Sequence, residues 1–209
     1  MNYYTKESRH KINSAVFACL ILIFVIVSSS GVAQRRKLIS GSLNGLKGQK
    51  SYDLKFTYDD MRVGDYVEES QYLAQKSKDW ELKEPGKGPA FVAQWFADRK
   101  KRYEPSFISG FGRFSKVKLG DNNAKYTLIV KTTRTEGGWS AGVVSHPGEI
   151  EGELWIVESA DQSNAIAKIS FEVMGKDGYG GDFDMTWRIQ SAYEFAGRLL
   201  GDFLKRKAR

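Results

Sequence analysis

The side chains most able to do chemistry gather in two glycine-rich stretches, residues 137–148 and 175–186. The first holds Trp139 and His146; the second holds Tyr179, Asp182, Phe183 and Asp184. Flexible backbone carrying aromatics and a few ionisable groups has the composition of a binding loop. Rings supply contact area there, and polar tips fix orientation. The same composition also marks plain turns whose rings fold back onto the core. These six residues are the candidate ligand-binding set.

The chemistry open to them is limited. His146 is the only histidine beyond the first 33 residues, and no fixed partner marks it as a base or a metal ligand, so it reads as a surface residue. Asp177, Asp182 and Asp184 lack the Asp-x-Asp-x-Asp-Gly order and closing Glu of a calcium loop. Glu149, Glu151 and Glu153 alternate along one strand, which a solvated face explains. Carboxylates paired for glycoside cleavage would need a separation that nothing here fixes. No serine stands in a nucleophile elbow. Residues 175–181 are not a phosphate loop, because no Lys-Ser or Lys-Thr follows them. Cys19 is the sole cysteine and lies in the N-terminal apolar run, leaving no thiolate or cysteine zinc site after it. The expectation is no catalytic residue, no metal and no cofactor.

Three strands must carry the two stretches: residues 124–134, 151–158 and 165–174, each rich in β-branched or aromatic residues. As a meander, the first and third run the same way. Their outgoing loops, the two glycine-rich stretches, then leave one end of the sheet. Upstream, Tyr52, Leu54, Phe56 and Tyr58 alternate strictly with Asp53, Lys55 and Thr57, giving a half-buried strand. Asp65 is placed to cap a helix over residues 66–79. Pro89 opens a second helix whose aromatic stripe is Phe91, Trp95, Phe96 and Tyr103. Glu104-Pro105 restarts the chain, and Phe107, Phe111 and Phe114 form a further stripe. Residues 187–207 give the strongest helix pattern. Gly197 and Gly201 lie four apart in it, which predicts close packing against the sheet. The order β-α-α-α-β-β-β-α indicates α+β: a single, mainly antiparallel sheet of about four strands with helices on one face.

At the N-terminus, Lys6, Arg9 and Lys11 precede an apolar run over residues 15–27, and small residues follow to Ala33. That is the order of a signal peptide, with cleavage expected after Ala33. The run falls short of the roughly 20 residues that span a bilayer. The expected organisation is therefore signal peptide 1–33, leader loop 34–50 and one α+β domain over 51–209. The formal net charge is +7, of which residues 1–33 supply +2. The remaining +5 is mild. The basic run Arg99-Lys-Lys-Arg102 falls at a predicted helix end, where cations suit the dipole. Neither feature calls for nucleic acid.

Several segments carry a resemblance. These are Leu46-Lys-Gly-Gln-Lys-Ser-Tyr52, Glu84-Pro-Gly-Lys-Gly88, Trp95-Phe-Ala-Asp-Arg99, Ala124-Lys-Tyr-Thr-Leu128 and Arg188-Ile-Gln-Ser-Ala-Tyr193. Together the chain resembles a group of exported, functionally uncharacterised proteins of Bacteroidales-type bacteria. The resemblance implies export and one α+β domain. It implies no activity, substrate or site residue.

The expectation for function is a non-enzymatic binding or interaction module of the periplasm or envelope. Its partner would be an envelope protein or ligand, and it would meet the membrane only through an uncleaved N-terminal segment. One alternative is a hydrolase of envelope or dietary polymers using Asp182, Asp184, Glu149 or His146. Another is a carrier of apolar ligands, suggested by the aromatic stripes of residues 91–114.

Overall fold

A computed structural model describes residues 34–141, 144–176 and 185–207. In chain order its elements are β1 (Arg35–Gly41), a 3₁₀ turn (Asn44–Leu46), β2 (Ser51–Thr57) and β3 (Arg62–Val63). Next come α1 (Glu69–Lys83), α2 (Lys87–Asp98), a π-helical turn (Arg99–Tyr103) and α3 (Glu104–Ser115). They are followed by β4 (Lys118–Leu119), β5 (Tyr126–Glu136), β6 (Trp139–Ala141), β7 (Val144–His146), β8 (Glu149–Glu158), β9 (Asp161–Met174) and α4 (Met185–Lys207).

The α+β class holds, but the sheet is not a four-stranded antiparallel one. It has seven strands in the order β1-β9-β8-β5-β2-β4, with β3 also beside β5, and a separate two-stranded sheet pairs β6 with β7. The expected meander is present, since β5, β8 and β9 pair antiparallel in sequence order. The alternating strand β2, however, runs parallel to β5, with Leu54 opposite Leu128 and Phe56 opposite Val130. A parallel pair needs a crossover of about a dozen residues or more. The helical stretch between β2 and β5 supplies it.

Residues 34–50, read as a leader loop, instead contribute β1, which pairs antiparallel with β9. Almost every β1 side chain is exposed. The strand is held by its backbone ladder and not by burial, so no hydrophobic alternation betrays it.

Helix boundaries shift for local reasons. Asp65 does not cap a helix. Val63 and Tyr66 instead bond backbone to backbone in both directions, with N···O distances of 3.2 and 2.9 Å, and Gly64 takes a positive φ of 56° at this turn. The helix α1 starts afterwards, at Glu69. The break at residues 84–89 is a tight joint. The Glu81 carboxylate of α1 accepts the backbone N–H groups of Gly86 and Gly88 at 2.9 and 3.0 Å, meeting the positive end of α2. Glu104-Pro105 does not restart the chain either. Pro105 has no N–H to give and its ring crowds the preceding turn. The π-helical turn before it widens the backbone, and α2 passes into α3 without a gap.

On one face of the sheet, Leu128, Val130, Leu154, Ile156, Ile169 and Val173 are fully buried. Phe107, Phe111, Ile189 and Leu200 of α3 and α4 join them in one core. Burying a side chain of this size contributes about 1.5–3 kcal/mol. The other face presents partly exposed Lys131, Glu151, Glu153, Trp155, Lys168 and Glu172. Among the described residues no helix is long and apolar enough to cross a membrane.

Candidate functional site

The meander aligns the ends of its strands. Glu136 pairs with Glu149, and Glu149 with Met174. The bases of the two glycine-rich loops therefore lie together at one end of the sheet, where α4 begins. Arg188, buried to 5% exposure, joins them. Its Nε donates to the Gly137 carbonyl at 2.8 Å and its Nη2 to the Gly138 carbonyl at 3.3 Å. On the second loop, Gly175 donates its N–H to the Gly148 carbonyl at 2.7 Å, and Lys176 donates its backbone N–H to Ser191 Oγ at 2.8 Å.

Of the candidate set, Trp139 and His146 come together. They face each other across the β6–β7 hairpin, with ring centroids 6.1 Å apart and planes 27° from parallel. Trp139 remains 50% exposed. Tyr179, Asp182, Phe183 and Asp184 lie outside the described residues, as does Asp177.

The carboxylates near this end are engaged by arginine. Arg134 Nη1 lies 3.0 Å from Glu151 and 3.6 Å from Glu149, and Nη2 lies 3.8 Å from Glu136. Arg62 adds a second contact to Glu151 at 3.6 Å. Burial pushes the Glu149 carboxyl above the ordinary glutamate range, and the neighbouring carboxylates push the same way, while Arg134 opposes them. Glu153 accepts the Trp155 indole N–H at 2.5 Å. A face expected to be merely solvated is thus a knit ladder of charge. Among the described residues no group of three or more His, Cys, Asp or Glu is placed to hold a metal ion.

A ring-walled concavity lies beside the start of α4, and Met185 and Thr186, the last residues of the second glycine-rich stretch, belong to its lining. Tyr72 and Trp80 of α1, Phe91 and Trp95 of α2, and Met185 of α4 line a cleft of about 360 Å³. The rings brace one another. Tyr72 and Trp95 lie 5.2 Å apart, Phe91 and Trp95 6.3 Å, and Trp80 stacks on Phe91 at 6.4 Å. Burial, with the nearby Glu136 charge, pushes the Tyr72 phenol up to about 12. Its hydroxyl donates to Met185 sulfur at 3.4 Å.

The polar groups of the cleft are held in place. Buried Asp98 accepts from Gln94 Nε2 at 2.5 Å and from Thr186 Oγ1 at 3.0 Å, and Arg102 lies 3.4 Å away. Beneath the rings, Glu69 pairs with Arg99 and accepts the Trp95 indole N–H at 2.5 Å. The Arg99 guanidinium stacks over Tyr58 at 4.1 Å and Phe96 at 4.9 Å. Only half of this site shows in the sequence. Phe91 and Trp95 form a visible stripe, whereas Tyr72 and Trp80 look like sparse surface residues until the tight α1–α2 joint folds them over it.

No family model matches the chain, and no curated protein matches it. Among solved structures it is similar to the PelC dodecamer from Paraburkholderia phytofirmans, at 9% identity and a TM-score of 0.34, covering 85% of this chain and 99% of that one. A leucine-to-methionine point variant of the same dodecamer gives 10% identity and a TM-score of 0.35, covering 85% and 100%. Scores at this level establish no shared fold.

Proposed function

We propose that this chain is an exported, non-enzymatic binding module whose ligand lies in the aromatic cleft between α1, α2 and the start of α4. The observation that carries the reading is the cleft itself. Four rings and Met185 form an apolar wall, and Lys76, Gln94, Asp98 and Thr186 supply a small polar complement. Such a lining accepts a ligand with a ring or other apolar body and orients it through one polar end. The reading takes up part of the carrier alternative, because Phe91 and Trp95 belong to the stripes that suggest it. The seat, though, is a cleft between helices and not a hollow core.

Two features argue for binding over hydrolysis. Asp98 is fixed by hydrogen bonds from Gln94 and Thr186 and by Arg102, as suits a group that orients a ligand's polar end. Glu149 is held by Arg134 and His146 is stacked on Trp139. Export is supported by the order of charged, apolar and small residues over 1–33.

The test is a titration with the fluorescent probe anilinonaphthalene sulfonate, whose rings suit the wall and whose sulfonate suits Lys76. Saturable one-site binding is expected, weakened several-fold by Trp80→Ala. Non-saturable binding, or binding indifferent to Trp80→Ala, would remove the cleft from consideration. N-terminal sequencing of protein recovered from the cell envelope tests export, and a start at Gln34 is the expected result.

A further inference from the structure

We propose that the corner where β1 begins and α4 ends docks on an anionic lipid surface. This stands apart from the aromatic cleft and rests on different residues. Gln34, Arg35, Arg36, Phe203, Arg206 and Lys207 line a groove of about 660 Å³. Lys37 stands beside it, on an adjoining hollow shared with Arg36, Phe203 and Lys207. Among the described residues, the anions paired with these five cations are Asp202, which contacts Arg36 at 3.7 Å and pairs with Arg206, and Glu172, which contacts Arg35 at 3.7 Å. Five cations less these two anions leave an excess of +3 in the groove, while Glu151 and Glu153 line a separate hollow that Arg35, Arg36 and Lys37 also border.

Charge is not the only signal. Leu38 and Ile39 on β1 are 37% and 45% exposed, among the large apolar side chains left open. They directly follow the three basic residues in an edge strand. Phe203 lies under the Arg36 guanidinium at 5.5 Å. Cations that bind phosphate headgroups, next to apolar side chains that enter the acyl boundary, are the composition of an interfacial surface.

Chain order selects a bilayer as the occupant. The strand β1 follows directly on residues 1–33, whose apolar run would engage a membrane during export, so the choice of occupant rests on the export reading above. If that segment stays, it tethers this corner to the bilayer. If it is cut after Ala33, the new α-ammonium at Gln34 adds a further cation to the groove.

The experiment is vesicle flotation with the chain beginning at Gln34, a span that is one compact unit and whose described residues form one buried core. Vesicles of phosphatidylcholine alone are compared with an equal mixture of phosphatidylcholine and phosphatidylglycerol. Partition should be more than about tenfold stronger on the mixture and should fall as salt rises. Neutralising Arg35, Lys37, Arg206 and Lys207 together to Gln should abolish the difference. Arg36 is kept in that variant because it contacts Asp202 and Phe203. Leu38→Ser with Ile39→Ser should weaken partition without changing its salt dependence. Equal binding to both vesicles, or salt-independent binding by the parent chain, would overturn the proposal, and these readouts need no variant. Capture by soluble polyphosphate as strong as by the anionic vesicles would also overturn it, by showing a general polyanion site.

Discussion

Gly197 of α4 and Phe107 of α3 meet backbone to backbone: a Cβ built on Gly197 would collide with the Phe107 carbonyl oxygen. One turn on, Gly201 stands against Phe111 in the same way, and from the other side Gly110 faces the Glu194 carbonyl. The two helices approach so closely because each gives up side chains at the contact. In place of glycine, alanine would bring its helix propensity, worth about 1 kcal/mol. Overpacking against rigid backbone costs about 1–3 kcal/mol or more and outweighs it. Gly197→Ala is therefore expected to lower stability by about 2 kcal/mol in urea denaturation. Gly112→Ala, where nothing lies within 4 Å, should raise it by up to about 1 kcal/mol. Equal effects of the two substitutions would refute the close contact.

Arg188 anchors the base of the first glycine-rich loop through the Gly137 and Gly138 carbonyls. Replacing it by Met keeps much of the volume and removes the donors. Buried carbonyls left unpaired cost about 1–3 kcal/mol. Arg188→Met should destabilise the fold by that order and speed hydrogen exchange in residues 137–148 more than in β8. Uniform exchange across both segments would show that the loop base does not depend on this side chain.

The glycine pair 197/201 marks what the sequence can and cannot show. The four-residue spacing announces a close contact, but the expected partner is the sheet and the actual one is α3. Spacing reports that a surface must approach and carries no information on which surface does. The meander is legible because β5, β8 and β9 alternate and each buries one face. The strand β1 is not, because its exposed side chains leave no period to read. The parallel pairing of β2 follows from where the intervening helices deliver the chain, a tertiary fact. In the candidate site, the aromatic stripe of α2 is visible and its counterpart on α1 is not. Tyr72 and Trp80 gain their role only when the Glu81 carboxylate caps α2 and fixes the joint.

Glu149 should leave a signature in the pH dependence of stability. Burial raises its carboxyl above the ordinary value of 4.5 in the fold. Between the unfolded and folded values the folded chain binds more protons, so stability falls as pH rises through that window. Glu149→Gln removes the penalty, while Arg134 keeps its contacts with Glu151 and Glu136. The variant should gain on the parent as pH rises above the ordinary value of 4.5 in parallel denaturation series. A gap that stays constant with pH would mean that the Arg134 contact offsets the burial.

Tyr193 makes a companion test, at alkaline pH. Its hydroxyl is buried and lies 2.8 Å from Thr132 Oγ1. Its ring stacks on Tyr103 with centroids 5.2 Å apart. Burial pushes the phenol from 10.0 to about 12, against the lowering effect of the Thr132 hydrogen bond. Unfolded tyrosine ionises first, so the stability held below about pH 10 declines as pH rises toward about 12. Tyr193→Phe loses the hydrogen bond and leaves Thr132 without that partner, a cost of about 1–2 kcal/mol near neutral pH. It also escapes the alkaline penalty, which grows by about 1.4 kcal/mol for each pH unit above the unfolded value. Parent and variant stabilities should therefore converge above about pH 10 and cross before about 12. Parallel curves over that range would mean that the phenol ionises freely in the folded chain, and the buried contact with Thr132 would have to be abandoned.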